Sequence, residues 1–388
     1  MKKQRKFVSL VLVILTLLSG SCMALDFQKY NVFNTDSGVG ISSLSIGDLN
    51  RDGSSDMALG WSNGQLWRLS QTGTRGVFTG NWIQTLGAPI GVNVADISGD
   101  GYNDIEITRN SDGSLHRQYS TGSDTFGYAL IANNGSMITT VLGDLNQNGK
   151  TDIAVLRAAD GALSMRTQNG TGGFSYTLLG NYGAASALAI GHMDATRDPL
   201  VTDVVVGRDS GSLYVRYQGA AGNFTNQKLI AEFGQKITQV GTGDLNADGK
   251  NDVLVARLDG SIYEQIQVGS QDFSTQNLIM NVGQEVKSLA LGDLDNDGLI
   301  DFVLGRADGS LLAEFQRAGG TFDHQVLSIY AGTTITSLGI GALDGSGRNA
   351  LAVGLSTGAV DIYYQIPEPA TIALLALGGV AMIRRGSK

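Results

Sequence analysis

The chain has 388 residues, a formal net charge of -9, 42% hydrophobic and 16% charged residues, and 54 glycines against 4 prolines. Glycine stands at roughly twice its usual share of about 7 per cent with no three-residue period, which excludes collagen, and the apolar content excludes a core-poor disordered chain. An acidic chain with no Lys/Arg tract outside its termini has no electrostatic footprint for nucleic acid, so that class of partner is set aside.

Residues 1–24 read as a secretory signal. Lys2, Lys3, Arg5 and Lys6 form the positive region, Phe7 to Leu18 the apolar region, and Cys22-Met23-Ala24 a small-residue exit before Leu25. Export through signal peptidase is the expectation. Cys22 is the sole cysteine, so no intramolecular disulfide can form in the mature chain. Acylation of Cys22 is the alternative, and it is weakened by Ser19, which sits where a lipobox carries an aliphatic residue.

Beyond the signal, strands are predicted near Phe27 to Phe33 and Ile41 to Gly47, and then the chain repeats. Aligning it on Gly-Asp-Leu-Asn gives seven loop starts, at Asp48, Asp96, Asp144, Asp194, Asp244, Asp293 and Ala342, spaced by 48, 48, 50, 50, 49 and 49 residues. The sixth unit shows the pattern. A segment of small and apolar residues (Ser288 to Gly292) leads into the loop, an apolar run (Asp301 to Gly305) follows, then a turn at Asp308-Gly309, an alternating run (Ser310 to Gln316), and a last run (Phe322 to Ile329). A second marker, Phe27, Phe78, Phe126, Phe174, Phe224, Phe273 and Phe322, keeps the same period.

Four strands in a repeat near 48 residues describe a propeller blade. Two strands precede the first loop, six complete units follow, and two strands (Leu351 to Leu355 and Ala359 to Gln365) end the array, which makes seven blades of four. The fold class expected is therefore an all-β, seven-bladed β-propeller over residues 25–365. Its last blade is completed by the N-terminal strand, which removes the open edge of the array.

The loops have the chemistry of a calcium site. Asp293, Asp295, Asp297 and Asp301 place carboxylates at loop positions 1, 3, 5 and 9, Gly298 supplies the sharp turn, and Leu299 offers a carbonyl. Hard oxygen donors in a flexible loop suit calcium rather than zinc or copper. An EF-hand would need a bidentate Glu at position 12, where Leu304 cannot ligate. Asp48, Asn50, Asp52 and Asp56 form a complete copy, as do Asp244, Asn246, Asp248 and Asp252. Asp144, Asn146, Asn148 and Asp152 carry two carboxylates, and Asp96, Ser98, Asp100 and Asp104 carry a hydroxyl at position 3. The fourth copy, Asp194, Thr196, Asp198 and Asp203, has an extra residue and Pro199 at the turn, so it is a weaker candidate. The seventh, with Ala342 and Ala350 at its ends, should be empty. About five calcium ions, within a range of four to six, are expected as the staple that disulfides do not provide.

Loops and Phe markers together resemble the FG-GAP and VCBS family of integrin-like propellers across about residues 26–365, and the resemblance implies calcium-binding blades. The integrin Gly-Ala-Pro signature does not recur, so integrin ligand recognition is not implied. Arg109, Arg157, Arg208, Arg257 and Arg306 share one repeat position; pairing with the nearby acidic turns is favoured over binding of anionic glycans. His116, His192 and His324 occupy unrelated repeat positions and are expected to be exposed single histidines.

No catalytic residues are assigned. No nucleophile elbow, His-Glu-x-x-His helix or phosphate loop occurs, and a carboxylate pair for glycoside cleavage cannot be read from spacing.

The chain ends in Pro367-Glu368-Pro369, an apolar run from Thr371 to Ile383, and Arg384-Arg385. Residues 366–388 resemble the PEP-CTERM sorting signal in order and spacing. The resemblance implies transient membrane anchoring, removal of the tail by an exosortase-type enzyme, and a bacterial envelope or matrix destination. Losing residues 1–24 and 370–388 would move the net charge from -9 to -16, because those segments hold seven basic residues and no acidic ones. An exported, calcium-binding surface or matrix module is the functional expectation, with an exopolysaccharide or envelope protein as partner. A polysaccharide-processing enzyme on the same scaffold is the alternative.

Overall fold

In the computed structural model, residues 25–34, 38–87, 89–109, 112–120, 125–170, 172–197, 200–219 and 222–366 are described. They form 28 strands paired into seven antiparallel sheets of four. The first blade holds β2 (Ile41–Gly47), β3 (Asp56–Trp61), β4 (Gln65–Gln71) and β5 (Phe78–Thr85), in that spatial order. The third blade repeats it with β10 (Met137–Gly143), β11 (Asp152–Arg157), β12 (Ala162–Gln168) and β13 (Phe174–Asn181), and the sixth with β22 (Val286–Gly292), β23 (Asp301–Arg306), β24 (Ser310–Arg317) and β25 (Thr321–Ile329).

The first strand of every blade is innermost. β2 packs against β6 (Pro89–Ala95), β6 against β10, and so on through β14 (Ala185–Gly191), β18 (Ile237–Gly243) and β22 to β26 (Ile335–Ala342), which returns to β2 and closes the ring. Small residues make this crowding possible. A Cβ on Gly47 would lie 2.5 Å from Val94 Cγ1 of the next inner strand, so the glycine that precedes the loop aspartate is required by close approach of neighbouring blades. Small and hydroxyl side chains from all seven inner strands line a central channel of about 380 Å³.

The second strand of each blade is buried on both faces, which explains its unbroken apolar reading. In β11, Ala154 and Leu156 join Val204 and Val206 of the fourth blade in one cluster, whereas Ile153 and Val155 join Leu115 of the second. Successive side chains of one strand thus fill two different seams. No blade can bury this strand without a neighbour on each side.

The seventh blade is composite, with the spatial order β1 (Phe27–Phe33), β28 (Val360–Gln365), β27 (Asn349–Leu355) and β26. Asn31 Nδ2 donates to Asp361 Oδ1 at 2.8 Å, the rings of Tyr30 and Tyr364 meet edge to face at 5.5 Å, and Phe33 packs on Trp61 at 5.9 Å. Lys29–Tyr364 forms one compact unit, and the two ends of the chain form a second. In the described part of that second unit, Ile366 N–H donates to the Asp26 carbonyl at 2.8 Å. The expected signal segment, residues 1–24, and the sorting motif Pro367, Glu368 and Pro369 lie outside the described residues.

Deleting residues 25–36 should lower stability by more than about 3 kcal/mol, because truncating even one buried aromatic costs about that much, whereas deleting 370–388 should leave the melting midpoint unchanged. Calorimetry of the two truncations provides the check, and equal midpoints would refute the clasp.

Candidate metal centre

Each loop joins the innermost strand of a blade to its second strand. In the sixth, Asp293 Oδ1 accepts the Asp297 N–H at 3.0 Å and Oδ2 the Gly298 N–H at 3.0 Å. Asp295 Oδ1 also accepts from Asp297 N–H, at 3.2 Å, and Asp297 Oδ1 from Leu299 N–H, at 2.9 Å. The backbone turns through φ of 62° at Asn296 and 89° at Gly298, which favours glycine at the second of these. The outcome is convergence: Asp293, Asp295 and Asp297 each bring a carboxylate oxygen within 4.8 Å of the others. Among the described residues this is the one group of three such side chains close enough to share an ion.

The other loops have the same frame. Asp48 is clamped by the N–H groups of Arg51 (2.7 Å) and Gly53 (2.9 Å), Asp96 by Gly99 (2.6 Å) and Gly101 (2.8 Å), Asp144 by Asn148 (3.1 Å) and Gly149 (2.7 Å), and Asp244 by Asp248 (3.0 Å) and Gly249 (2.8 Å). Asn50, Asn146 and Asn246 accept the N–H of Asp52, Asn148 and Asp248 at 3.0, 3.0 and 2.9 Å. Ser98 stands at the corresponding place of the second loop, where Asp100 accepts the Tyr102 N–H at 3.0 Å. These clamps use part of the oxygen lone pairs and fix each position-1 aspartate against its own loop backbone, the nearest donor to Oδ1 lying three residues on at Asp48 and Asp96 and four residues on at Asp144 and Asp244.

Position 9 has a role that sequence reading missed. Asp56, Asp104, Asp152, Asp203, Asp252 and Asp301 are all fully buried. In the third blade, Asp152 Oδ2 accepts the Leu145 N–H at 3.1 Å and Oδ1 the Gln168 N–H at 2.8 Å. Asp56, Asp203, Asp252 and Asp301 make the equivalent pair, and Ser120 N–H reaches Asp104 at 3.0 Å. This aspartate pins the start of the loop to the end of the third strand. Survival of Asp203 in the otherwise degraded fourth loop was the available signal for a structural role. Burial outweighs these hydrogen bonds and raises the carboxyls of Asp56, Asp104 and Asp152 to about 6 and those of Asp252 and Asp301 to about 7.

Protein donors reach several loops. Arg317 Nη1 lies 2.9 Å from Asp295 Oδ2 and 3.5 Å from Asp297 Oδ2, while its Nε lies 2.7 Å from Asp323. Lys250 Nζ lies 2.5 Å from Asp248. In the fourth loop, Asp194 already accepts from Thr196 Oγ1 (2.9 Å), Ser270 Oγ (2.8 Å) and Gln271 Nε2 (2.9 Å), the last two from a hairpin of the fifth blade. Asp198 lies outside the described residues. In the seventh loop, Asp344 pairs with Arg75 of the first blade at 2.7 Å. Where a loop has diverged, a neighbouring hairpin supplies the donors.

Four of the recurrent arginines pair with the adjacent acidic turn: Arg109 with Asp112 (3.3 Å), Arg157 with Asp160 (2.5 Å), Arg257 with Asp259 (2.8 Å) and Arg306 with Asp308 (2.7 Å). In the fourth blade, Asp209 pairs with Lys236 instead, at 3.1 Å. One expectation needs correction. His116 is buried, stacked on Tyr128 at 4.9 Å, because it occupies a seam position that sequence spacing alone does not distinguish. His324 is held by Glu314 at 2.5 Å, and His192 Nδ1 lies 3.1 Å from the Val201 carbonyl.

A family model described as an FG-GAP-like repeat matches residues 201–255 and 244–304. No curated protein sequence matches the chain. Among solved structures, the chain is similar to an Agrocybe aegerita lectin that recognises non-reducing terminal N-acetylglucosamine, with a TM-score of 0.57, 17% identity, and coverage of 79% of this chain and 81% of that one. It is also similar to BBS1N in two complexes with ARL6DN, with TM-scores of 0.59 and 0.58 and identities of 11% and 12%. Those matches cover 89% and 88% of this chain and 97% and 98% of the other. At such identities the likeness is one of fold. The chain is a seven-bladed β-propeller that carries FG-GAP-like repeats.

The raised position-9 carboxyls set a pH dependence for the metal-free protein. Their folded-state values lie above the ordinary 3.8, so the stability they confer is complete below that value and is lost as pH rises through about 6 to 7. In excess chelator the melting midpoint should fall between pH 5 and pH 8. A flat or rising midpoint over that range, measured by scanning calorimetry, would contradict burial as the dominant influence.

Proposed function

We propose that this protein is an exported, calcium-stabilised propeller that serves as a binding module at the bacterial envelope or in the extracellular matrix, with a polysaccharide as its ligand. The observation that carries the calcium reading is the convergence of Asp293, Asp295 and Asp297, together with the shared frame of the loops at Asp48, Asp96, Asp144 and Asp244. Oxygen-only donors in a turn of this kind fit calcium. Asp293, Asp295 and Asp297 would hold the ion through their side chains, and the ion would neutralise charge that Arg317 now meets only in part. Position 9 would contribute through lone pairs left over from its backbone bonds. Export and sorting rest on the residue patterns of 1–24 and 366–388, with signal peptidase and an exosortase-type enzyme as processing partners.

Binding is favoured over turnover for a chemical reason. Raised carboxyl pKa values often mark catalytic acids, but the strongly shifted aspartates of the loops are fully buried and bonded to backbone N–H groups. They hold structure. A glycan array read alongside reducing-sugar release separates the two functions: binding without release is expected, and release of sugar would establish the enzyme.

Calcium should raise the melting midpoint, since a ligand confined to the folded state stabilises it by about 2.7 kcal/mol per site at a hundredfold excess over Kd. Affinity near 0.1 to 1 mM is expected for roughly the class of extracellular modules. Asp293→Ala should remove one ion from the native mass spectrum, whereas Asp344→Ala should remove none. An unchanged midpoint on chelation, or no bound calcium, would sink the proposal.

Arg317→Gln should tighten calcium binding at the sixth loop, because it removes a cation that competes for Asp295 and Asp297. Weaker binding by titration calorimetry would mean that Arg317 supports the site instead.

A further inference from the structure

One repeat position plugs the seams between blades. On the third strand, the residues opposite Leu59, Ile107, Val155, Val206, Val255, Leu304 and Val353 are Trp67, His116, Ser164, Tyr214, Tyr263, Leu312 and Asp361. Most reach a partner from the preceding blade. Trp67 packs on Phe33 at 5.4 Å, Tyr214 on Tyr182 at 5.7 Å and Tyr263 on Phe233 at 5.2 Å. Leu312 shares a cluster with Val282, and Tyr330 O–H donates to Asp361 at 2.8 Å. The partner residue has a fixed place, for Tyr182, Phe233, Val282 and Tyr330 all donate their N–H to the carbonyl of the turn glycine of their own blade, at 3.0, 2.8, 2.9 and 2.8 Å.

At the third blade both members are small and polar. Ser164 stands in the plug position, and Asn134, which makes the same backbone bond to Gly113 at 2.8 Å, stands opposite. A cavity of about 250 Å³ remains there, with Asn133, Asn134, Val155, Ser164, Arg166 and Tyr176 in its walls and Arg157 at its edge. Arg157 is neutralised by Asp160, Nε to Oδ1 at 2.9 Å. Arg166 is not: among the described residues it has no carboxylate partner. Its Nη2 donates to Asn134 Oδ1, its guanidinium lies over the Tyr176 ring at 4.5 Å, and its Nε is buried without a partner. Burial draws its pKa below the ordinary value, as a half-buried cation lacking a counter-charge requires.

We propose that this seam binds the carboxylate of an acidic sugar, one hexuronate unit of an anionic polysaccharide. The proposal rests on the polysaccharide reading above and names its site and chemical class. The cavity has room for one pyranose ring. A guanidinium fork matches a carboxylate in a bidentate pair, which would give Arg166 the counter-charge it lacks. The amides of Asn133 and Asn134 and the Ser164 hydroxyl can meet sugar hydroxyls, and Tyr176, 54% exposed, presents an aromatic face to the C–H side of the ring.

The test uses the full propeller in calcium-replete buffer, titrated with tri-galacturonate and with its methyl ester, which removes the charge and adds one methyl group per unit. The acid should bind and the ester should bind at least about tenfold more weakly, the scale of one charge-assisted contact. Arg166→Gln should cause a similar loss. Ser164→Tyr, which installs the plug of the fourth and fifth blades, should abolish binding without altering calcium-dependent melting, and if it fails to fold, Arg166→Gln carries the test. Equal binding of acid and ester, or a folded variant of either kind that binds the acid normally, overturns the proposal. If both variants retain whatever polysaccharide binding the wild type shows on an array, this site is wrong and the polysaccharide reading stands. If the wild type binds no polysaccharide, both fall.

Discussion

Burial of one aspartate in each of the first six blades is the interaction on which their loops depend. Asp152, Asp252 and their counterparts are fully buried, and in all but Asp104 one oxygen accepts from the loop backbone and the other from the end of the third strand. An unpaired buried carboxylate would be costly, so the two bonds must form together. Loop and strand are thereby locked into one frame. The remaining oxygens of the loop, at positions 1, 3 and 5, inherit their positions from it. In the seventh blade, where Ala350 replaces the aspartate and is fully buried, the pin is absent and Arg75 instead crosses from the first blade to hold Asp344.

The second constraint is closure. A second strand with apolar side chains on both faces must have a blade on each side, and the ring meets that demand because β26 returns to β2, while β1 adds the outer strand of the last sheet. Clasp residues are correspondingly specific: Asp361 receives both Asn31 and Tyr330, at 2.8 Å each. Cross-linking by cysteine is not available to this propeller, whose one cysteine is Cys22. Metal in the loops would act from one end of the blades and the clasp acts at one seam, so the two would stabilise different parts of the ring.

Variation among the blades has a common form. Neighbouring blades present a hairpin to each loop and a bulky side chain to each seam, and a change at one position alters what the neighbour meets. Asp194 is satisfied by Ser270 and Gln271, Asp344 by Arg75. At the third seam, loss of bulk at Ser164 and Asn134 leaves space beside an arginine that has no acidic partner among the described residues. Function on such a scaffold is added by exceptions to the repeat.

Period, strand count, blade number and closure were all legible in the amino-acid order, because each depends on a local pattern: two-residue alternation, turn glycines, and a loop marker recurring every 48 to 50 residues. The Gly-Asp start of four of the seven loops and the candidate oxygens at Asp293, Asp295 and Asp297 were legible for the same reason, being neighbours in the chain. Tertiary structure alone decided what the position-9 aspartates do, that His116 lies in a seam, that Arg317 leans on the sixth loop, and that Ser164 and Asn134 face one another across a cavity. These are meetings between residues many positions apart, often on different blades. Their outcome depends on side-chain size and reach after the ring has closed, which no periodicity in the sequence encodes.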